Sequence, residues 1–151
     1  MSRINLFLDS SALFAGIVSA AGAARVLLLL GETAHITLTI SEQVVAETEQ
    51  ALARKLPHAL ADVRQAILLS QARIVRDPPM QEVQSHLDLI SDPADVPILL
   101  AAMRARVDYL VTLNRRHFID DPQVAVRSGL RIGTPGDALH FVRAHLSGAD
   151  G

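Results

Sequence analysis

The sequence contains no cysteine and no tryptophan, and it has a single tyrosine. Without thiols there is no disulfide, no thiolate metal site and no cysteine nucleophile. Aromatic residues make up 3% of the chain against 50% apolar residues, so the core has to be aliphatic, built from Leu, Ile, Val and Ala. Long apolar runs are missing as well. The most apolar stretch, residues 20–30, contains Arg25 and is too short to span a bilayer. Asp9 interrupts the first apolar segment almost at once, which argues against a cleavable leader. A soluble, cytoplasmic protein with no membrane association is expected. There is no basic excess either. At a net charge of −2, nothing global draws the chain to nucleic acid, so any such contact must come from local basic clusters.

What is present is an alternation of strand-like and helix-like segments. A length of 151 residues suits one domain with a substantial core. Residues 4–8 are apolar and end in Asp9-Ser10-Ser11, reading as a buried strand followed by a helix-opening cluster. Residues 12–16 and 23–30 read as helical, broken near Gly22 and stopped at Gly31. Residues 35–40 are rich in β-branched side chains and read as a second strand. A helix then runs to Lys55, opened by Thr39 or Ser41 as the cap. Further helices are expected at 59–70, 80–90, 96–106 and 135–145, with strands at 73–76, 109–112 and 130–132. This order predicts a three-layer α/β/α domain around a parallel sheet, covering residues 1–146, with a loose tail at 147–151.

In such sheets, sites form at the carboxyl ends of strands near the switch in strand order. The polar residues there are Asp9 after the first strand and Asn114 after the strand at 109–112. Asp92 and Asp95 open the preceding helix, and Glu47 lies in the helix after the second strand. Clustered carboxylates repel one another unless a cation neutralises them, and oxygen ligands of this kind suit Mg²⁺ or Mn²⁺. Such ions polarise phosphodiesters and activate water. Each acid also has an ordinary structural use. Asp9 and Asp95 are good helix caps, and Asp92 before Pro93 is a common turn residue. On the helix after the second strand, Glu47 and Glu49 flank the apolar stripe at about 100° on either side, so periodicity does not choose between them.

The segments Leu6-Phe7-Leu8-Asp9-Ser10-Ser11-Ala12-Leu13, Thr39-Ile40-Ser41-Glu42-Gln43-Val44-Val45-Ala46-Glu47, Asp92-Pro93-Ala94-Asp95-Val96-Pro97 and Tyr109-Leu110-Val111-Thr112-Leu113-Asn114 together resemble the PIN-domain family, including VapC-type toxins. The likeness spans roughly residues 5–139, with the motifs in family order. It implies a Mg²⁺- or Mn²⁺-dependent hydrolysis of RNA. Asp9, Glu47, Asp92 and Asp95 would be the metal-holding acids, with Asn114 assisting at the centre. Ser10 and Thr112 would orient ligands or water, and Arg115, Arg116 and His117 would meet phosphate. Asn114 stands where many members carry Asp, which brings an amide oxygen but no charge. The resemblance also implies an RNA substrate, a small antitoxin partner and a homodimer. Residues 26–30 and 59–69 are the apolar stretches available for such contacts.

Other classes fit less well. A PIN fold acting as a catalytically weak or inactive RNA- or protein-binding module is the main alternative, favoured by Asn114. A haloacid-dehalogenase-like phosphatase would need an acid where Ser11 stands. A receiver-like domain would need a Lys after a late strand, but the sole lysine is Lys55. A nucleotide-binding Rossmann domain would need clustered glycines after the first strand, and Gly16, Gly22 and Gly31 are too dispersed.

Overall fold

Leu6, Phe7 and Leu8 are all buried, as a strand covered on both faces requires. They belong to β1 (Asn5–Leu8), the middle strand of a five-stranded sheet in the computed structural model, which describes residues 3–149. The other strands are β2 (Thr37–Ser41), β3 (Arg73–Val75), β4 (Tyr109–Val111) and β5 (Ile132–Gly133), in the order β3-β2-β1-β4-β5. Every pairing is parallel. The chain builds outward from β1 to β3, then returns to the other side of β1 with β4. The switch in strand order therefore falls between β1 and β4, and it is outside the carboxyl ends of the strands at such a point that open α/β sheets place their sites.

Helices cover both faces, giving the expected three layers. On one side, α1 (Ser10–Val18) packs against α2 (Ala23–Glu32) and α3 (Glu42–Lys55), with α4 (Leu60–Leu69) beside α3. On the other, α6 (Val96–Arg104) packs on β2 and meets both α5 (Met80–Gln84) and α7 (Pro122–Ser128). The last helix, α8 (Pro135–Ala149), leans on α2, β4 and β5. The core is aliphatic, as the composition demands: Leu13, Leu27, Leu38, Ile40, Val44, Leu99 and Leu110 are buried, joined by few rings beyond Phe7 and Phe118. Among the described residues no single helix is long and apolar enough to cross a membrane.

Several expectations change. The helix read over residues 80–90 ends at Gln84, because Ser85 Oγ donates to the Glu82 carbonyl at 2.9 Å and the His86 ring reaches the same carbonyl at 2.7 Å. Such side-chain bonds to the backbone compete with further turns. Between β4 and β5 lie a single π turn, Arg115–Ile119, and α7, neither foreseen. The closing helix continues to Ala149 rather than ending at 145, and residues 150–151 of the expected tail lie outside the described residues.

Gly31 does not stop α2, which runs on to Glu32. Its lack of a side chain serves packing instead: a Cβ there would sit 2.8 Å from Leu38 Cδ1 and 2.9 Å from the Ser70 carbonyl oxygen. One of those neighbours is backbone and cannot swing aside. Gly31→Ala is therefore expected to destabilise the protein by about 1–3 kcal/mol, the usual range for overpacking a core. Urea denaturation followed by circular dichroism measures this. An unchanged midpoint would mean that α2 lifts off the sheet at no cost.

Candidate metal centre

The register of the central strands builds the first part of the site. Leu8 pairs with Val111, and the Asp9 N–H donates to the Val111 carbonyl at 3.1 Å. The next residues out, Asp9 and Thr112, therefore stand side by side at the carboxyl end of the sheet. Asp9 is only 4% exposed, yet its carboxylate is fully engaged. Oδ1 accepts the Ser11 hydroxyl at 2.6 Å and the Ala12 N–H at 2.9 Å, and Oδ2 accepts the Thr112 hydroxyl. Ser11 and Thr112 are fixed in turn, since their oxygens accept the Leu113 and Asn114 N–H groups, each at 2.9 Å. Asp9 thus caps α1 and stands at the switch in strand order at once. Burial pushes its carboxyl above the usual range, three hydrogen bonds oppose that, and the negative charge of Glu47 adds to the rise.

The second part comes from the turn Pro93–Asp95 that leads into α6. Asp92 caps this turn, its Oδ1 accepting the Ala94 N–H at 3.0 Å. Asp95 occupies the cap position of α6 but makes no capping hydrogen bond. Its carboxylate turns instead toward the π turn, where Oδ2 lies 3.1 Å from His117 Nδ1. Asp92 Oδ2 lies 3.6 Å from the same nitrogen. Desolvation and the neighbouring Asp92 charge push the Asp95 carboxyl up to about 6; His117 pulls against them, and Asp9 adds a smaller push. The carboxylates are held closer together than they would choose in the absence of a cation.

Glu47 approaches from α3. Gln43, one turn earlier on the same face, donates from Nε2 to Glu47 Oε2 at 3.3 Å and to the Ala94 carbonyl at 2.9 Å. Gln43 therefore ties α3 to the acidic turn, a link that sequence reading passed over. Of the two α3 acids that periodicity left open, Glu47 is the one whose charge acts on Asp9.

Of the expected residues, Asp9, Glu47, Asp92, Asp95 and Thr112 come together at one end of the sheet. Asn114 lies beside them, but its Oδ1 caps the π turn by accepting the His117 N–H at 3.2 Å. The hydroxyl that supports Asp9 from α1 is that of Ser11. Ser10, expected in that role, lines an adjoining hollow of about 380 Å³ with Phe14, Glu47, Lys55 and Leu113. Arg115 and Arg116 are exposed on the π turn. His117, read with them as a phosphate contact, faces the acids instead: one ligand atom each from Asp92, Asp95 and His117 lies within 4.8 Å of the others. The donor set suits a divalent cation: Asp9 and Asp95 are desolvated, the Asp95 carboxylate makes no capping bond, and an imidazole stands among the acids.

A family model described as the PIN domain matches residues 5–116 of the chain. Among solved structures, PAE2754 from Pyrobaculum aerophilum is similar with a TM-score of 0.64 at 19% identity, over 93% of this chain and 90% of that one. VapBC2 from Rickettsia felis, solved bound to a DNA fragment from its promoter, is similar with a TM-score of 0.61 at 21% identity, over 87% of this chain and 98% of that one. No curated protein matches the chain by sequence.

Proposed function

Since the chain belongs to the PIN-domain family, we propose that it is a metal-dependent endoribonuclease and the toxin component of a toxin–antitoxin pair. The observation that carries this reading is Asp95, whose carboxylate leaves its capping position free, turns into the cluster and is destabilised there by burial and by Asp92. A fold does not maintain such repulsion for its own stability. Asp9, Glu47, Asp92 and Asp95 would hold Mg²⁺ or Mn²⁺. Bound there, the cation would supply Lewis-acid polarisation of a phosphodiester and a water of lowered pKa. Thr112 and Ser11 keep Asp9 from rotating, and Gln43 keeps Glu47 beside the acidic turn. Arg115 and Arg116 offer exposed positive charge next to the acids, where a chain of −2 net charge needs it to hold RNA phosphates.

End-labelled structured RNA incubated with the protein should be cut in Mn²⁺ or Mg²⁺ and left intact in EDTA. The same cations should raise the melting temperature. One site filled at a hundred times its dissociation constant stabilises by about 2.7 kcal/mol. Cleavage that persists in EDTA would sink the reading. Asn114 favours a second reading, a weak or inactive PIN-fold binding module, because its amide adds no charge and its oxygen is committed to the π turn. Metal binding without cleavage of any RNA offered would favour that module.

A protein partner is supported by apolar surface on the α1–α2–α4 side. Leu29 and Leu69 are half exposed and Leu68 largely so, beside a groove of about 440 Å³ lined by Ile17, Arg25, Leu28 and Asp62. The assembly named for the Rickettsia felis structure makes an antitoxin the natural occupant, with a homodimer of this chain as a further expectation. Both would act in the cytoplasm, where the RNA is.

A further inference from the structure

We infer that His117 is a nitrogen ligand of the bound cation, and that it biases the centre toward a divalent transition ion such as Mn²⁺ over Mg²⁺. This inference rests on the metal-dependent reading above and concerns which ion that centre takes.

The argument begins with the face that the imidazole presents. Its side chain is 29% exposed, but Nδ1 turns inward, 3.1 Å from Asp95 Oδ2 and 3.6 Å from Asp92 Oδ2. An ionised carboxylate oxygen only accepts hydrogen bonds, and an unprotonated ring nitrogen only accepts as well. The Asn114 side-chain amide nitrogen lies 3.2 Å from the same nitrogen, so Nδ1 is either protonated toward Asp95 or, unprotonated, offers its lone pair beside the two carboxylates, where a divalent cation would join all three. The spacing suits an ion as well as a hydrogen bond. In an octahedral shell with bonds of about 2.1–2.2 Å, neighbouring donor atoms stand about 3.0–3.1 Å apart. The His117–Asp95 pair is already at that separation, and the His117–Asp92 pair is a few tenths of an ångström wider.

Asn114 holds both the ring and the backbone of His117, its Nδ2 lying 3.2 Å from Nδ1. Asn114 Oδ1 accepts the His117 N–H, and the Asn114 N–H is itself bound by Thr112 Oγ1, which donates to Asp9. The amide at 114 therefore acts as a positioning residue rather than a ligand. The donor after β4 that faces the acids is His117. A side chain there to bind RNA phosphate would turn its nitrogen outward, as Arg115 and Arg116 are exposed.

Ligand type then decides the ion. Mg²⁺ demands oxygen ligands and gives up its waters reluctantly, whereas imidazole raises the affinity of first-row transition ions. A set of carboxylates with one imidazole keeps the oxygen character that Mn²⁺ accepts and adds a ligand that Mg²⁺ does not favour.

The test uses metal-free full-length protein at one fixed pH. Mn²⁺ and Mg²⁺ affinities are measured by calorimetry and by competition against the Mn²⁺ paramagnetic resonance signal. Electron spin-echo modulation of bound Mn²⁺ then reports any directly coordinated nitrogen. Wild type should show ¹⁴N modulation, and His117→Gln should lose it. The Mn²⁺-over-Mg²⁺ preference should fall at least about tenfold in His117→Asp, which restores an oxygen donor. Mn²⁺ bound by wild type with no nitrogen modulation would overturn the inference and leave the metal-dependent reading standing. An unchanged preference in a folded His117→Asp would do the same. Failure of wild type to bind Mn²⁺ at all would overturn both.

Discussion

Asp9→Asn is expected to lower metal-dependent RNA cleavage by about 10³-fold, because several kcal/mol of charge stabilisation are lost and each 1.36 kcal/mol is a factor of ten. The fold should survive. Asn is as good a helix cap as Asp, so the Ala12 N–H keeps its acceptor. The loss is local and chemical. Two hydroxyls and one N–H converge on the carboxylate, so the new NH₂ group must face a hydroxyl that now donates to oxygen. Thr112 is the partner that would have to turn, and it also anchors the Asn114 N–H. The variant therefore weakens the π turn together with the charge. Single-turnover cleavage measured beside circular dichroism separates the two effects. A folded variant that cuts within about tenfold of wild type would remove Asp9 from the centre.

Asp95→Asn should do something less usual: raise stability while removing metal binding. The Asp95 carboxyl is held up to about 6 in the native protein against 3.8 for the unperturbed group. Between those values the native state binds more protons than the unfolded chain, so stability falls as pH rises through that window. Above it the full cost of the ionised, crowded carboxylate is present. Asn carries no such cost. At pH 7.5 in EDTA the variant should melt on the order of a few °C above wild type, a modest figure because the group is partly exposed and screened. Near pH 4 the difference should shrink toward zero. Added Mn²⁺ should reverse the order, lifting wild type and leaving the variant unmoved. Equal melting at both pH values in EDTA would show that the carboxylate is not under strain.

Much of this was legible from residue order. Strands β1, β2 and β4 announced themselves as short apolar or β-branched runs. Asp9 and Asp95 could be placed because each follows or opens an element at a fixed point. Other features depend on partners distant in sequence. Glu47 and Glu49 are symmetric about their apolar stripe, and only docking of α3 beside Asp9 tells them apart. His117 looks like part of a basic run with Arg115 and Arg116 until the π turn rotates it inward. That turn lengthens the usual helical spacing by one residue, which no 3.6-residue pattern anticipates. For α7 a signal did exist. Asp121 caps, Pro122 starts the first turn and Gly129 closes it at φ 71°. Its apolar pattern is thin, since Val124 is buried while Val126 is largely exposed. Gly31 was read as a stop from composition, but a close approach of β2 and α4 is what requires it.

The pairing of β1 with β4 also governs when the centre comes into being. Asp9 and Thr112 are separated by 103 positions in the chain, so the carboxylate waits for a hydroxyl that is synthesised long after it. Closing so long a loop is slow and comes late in folding. A chain still being synthesised can form β1, β2 and the helices between them, yet it has nothing to hold Asp9 Oδ2 and no His117 to complete the acidic cluster. Under the nuclease reading, a growing chain therefore stays harmless to the message that encodes it until β4 and His117 have been translated.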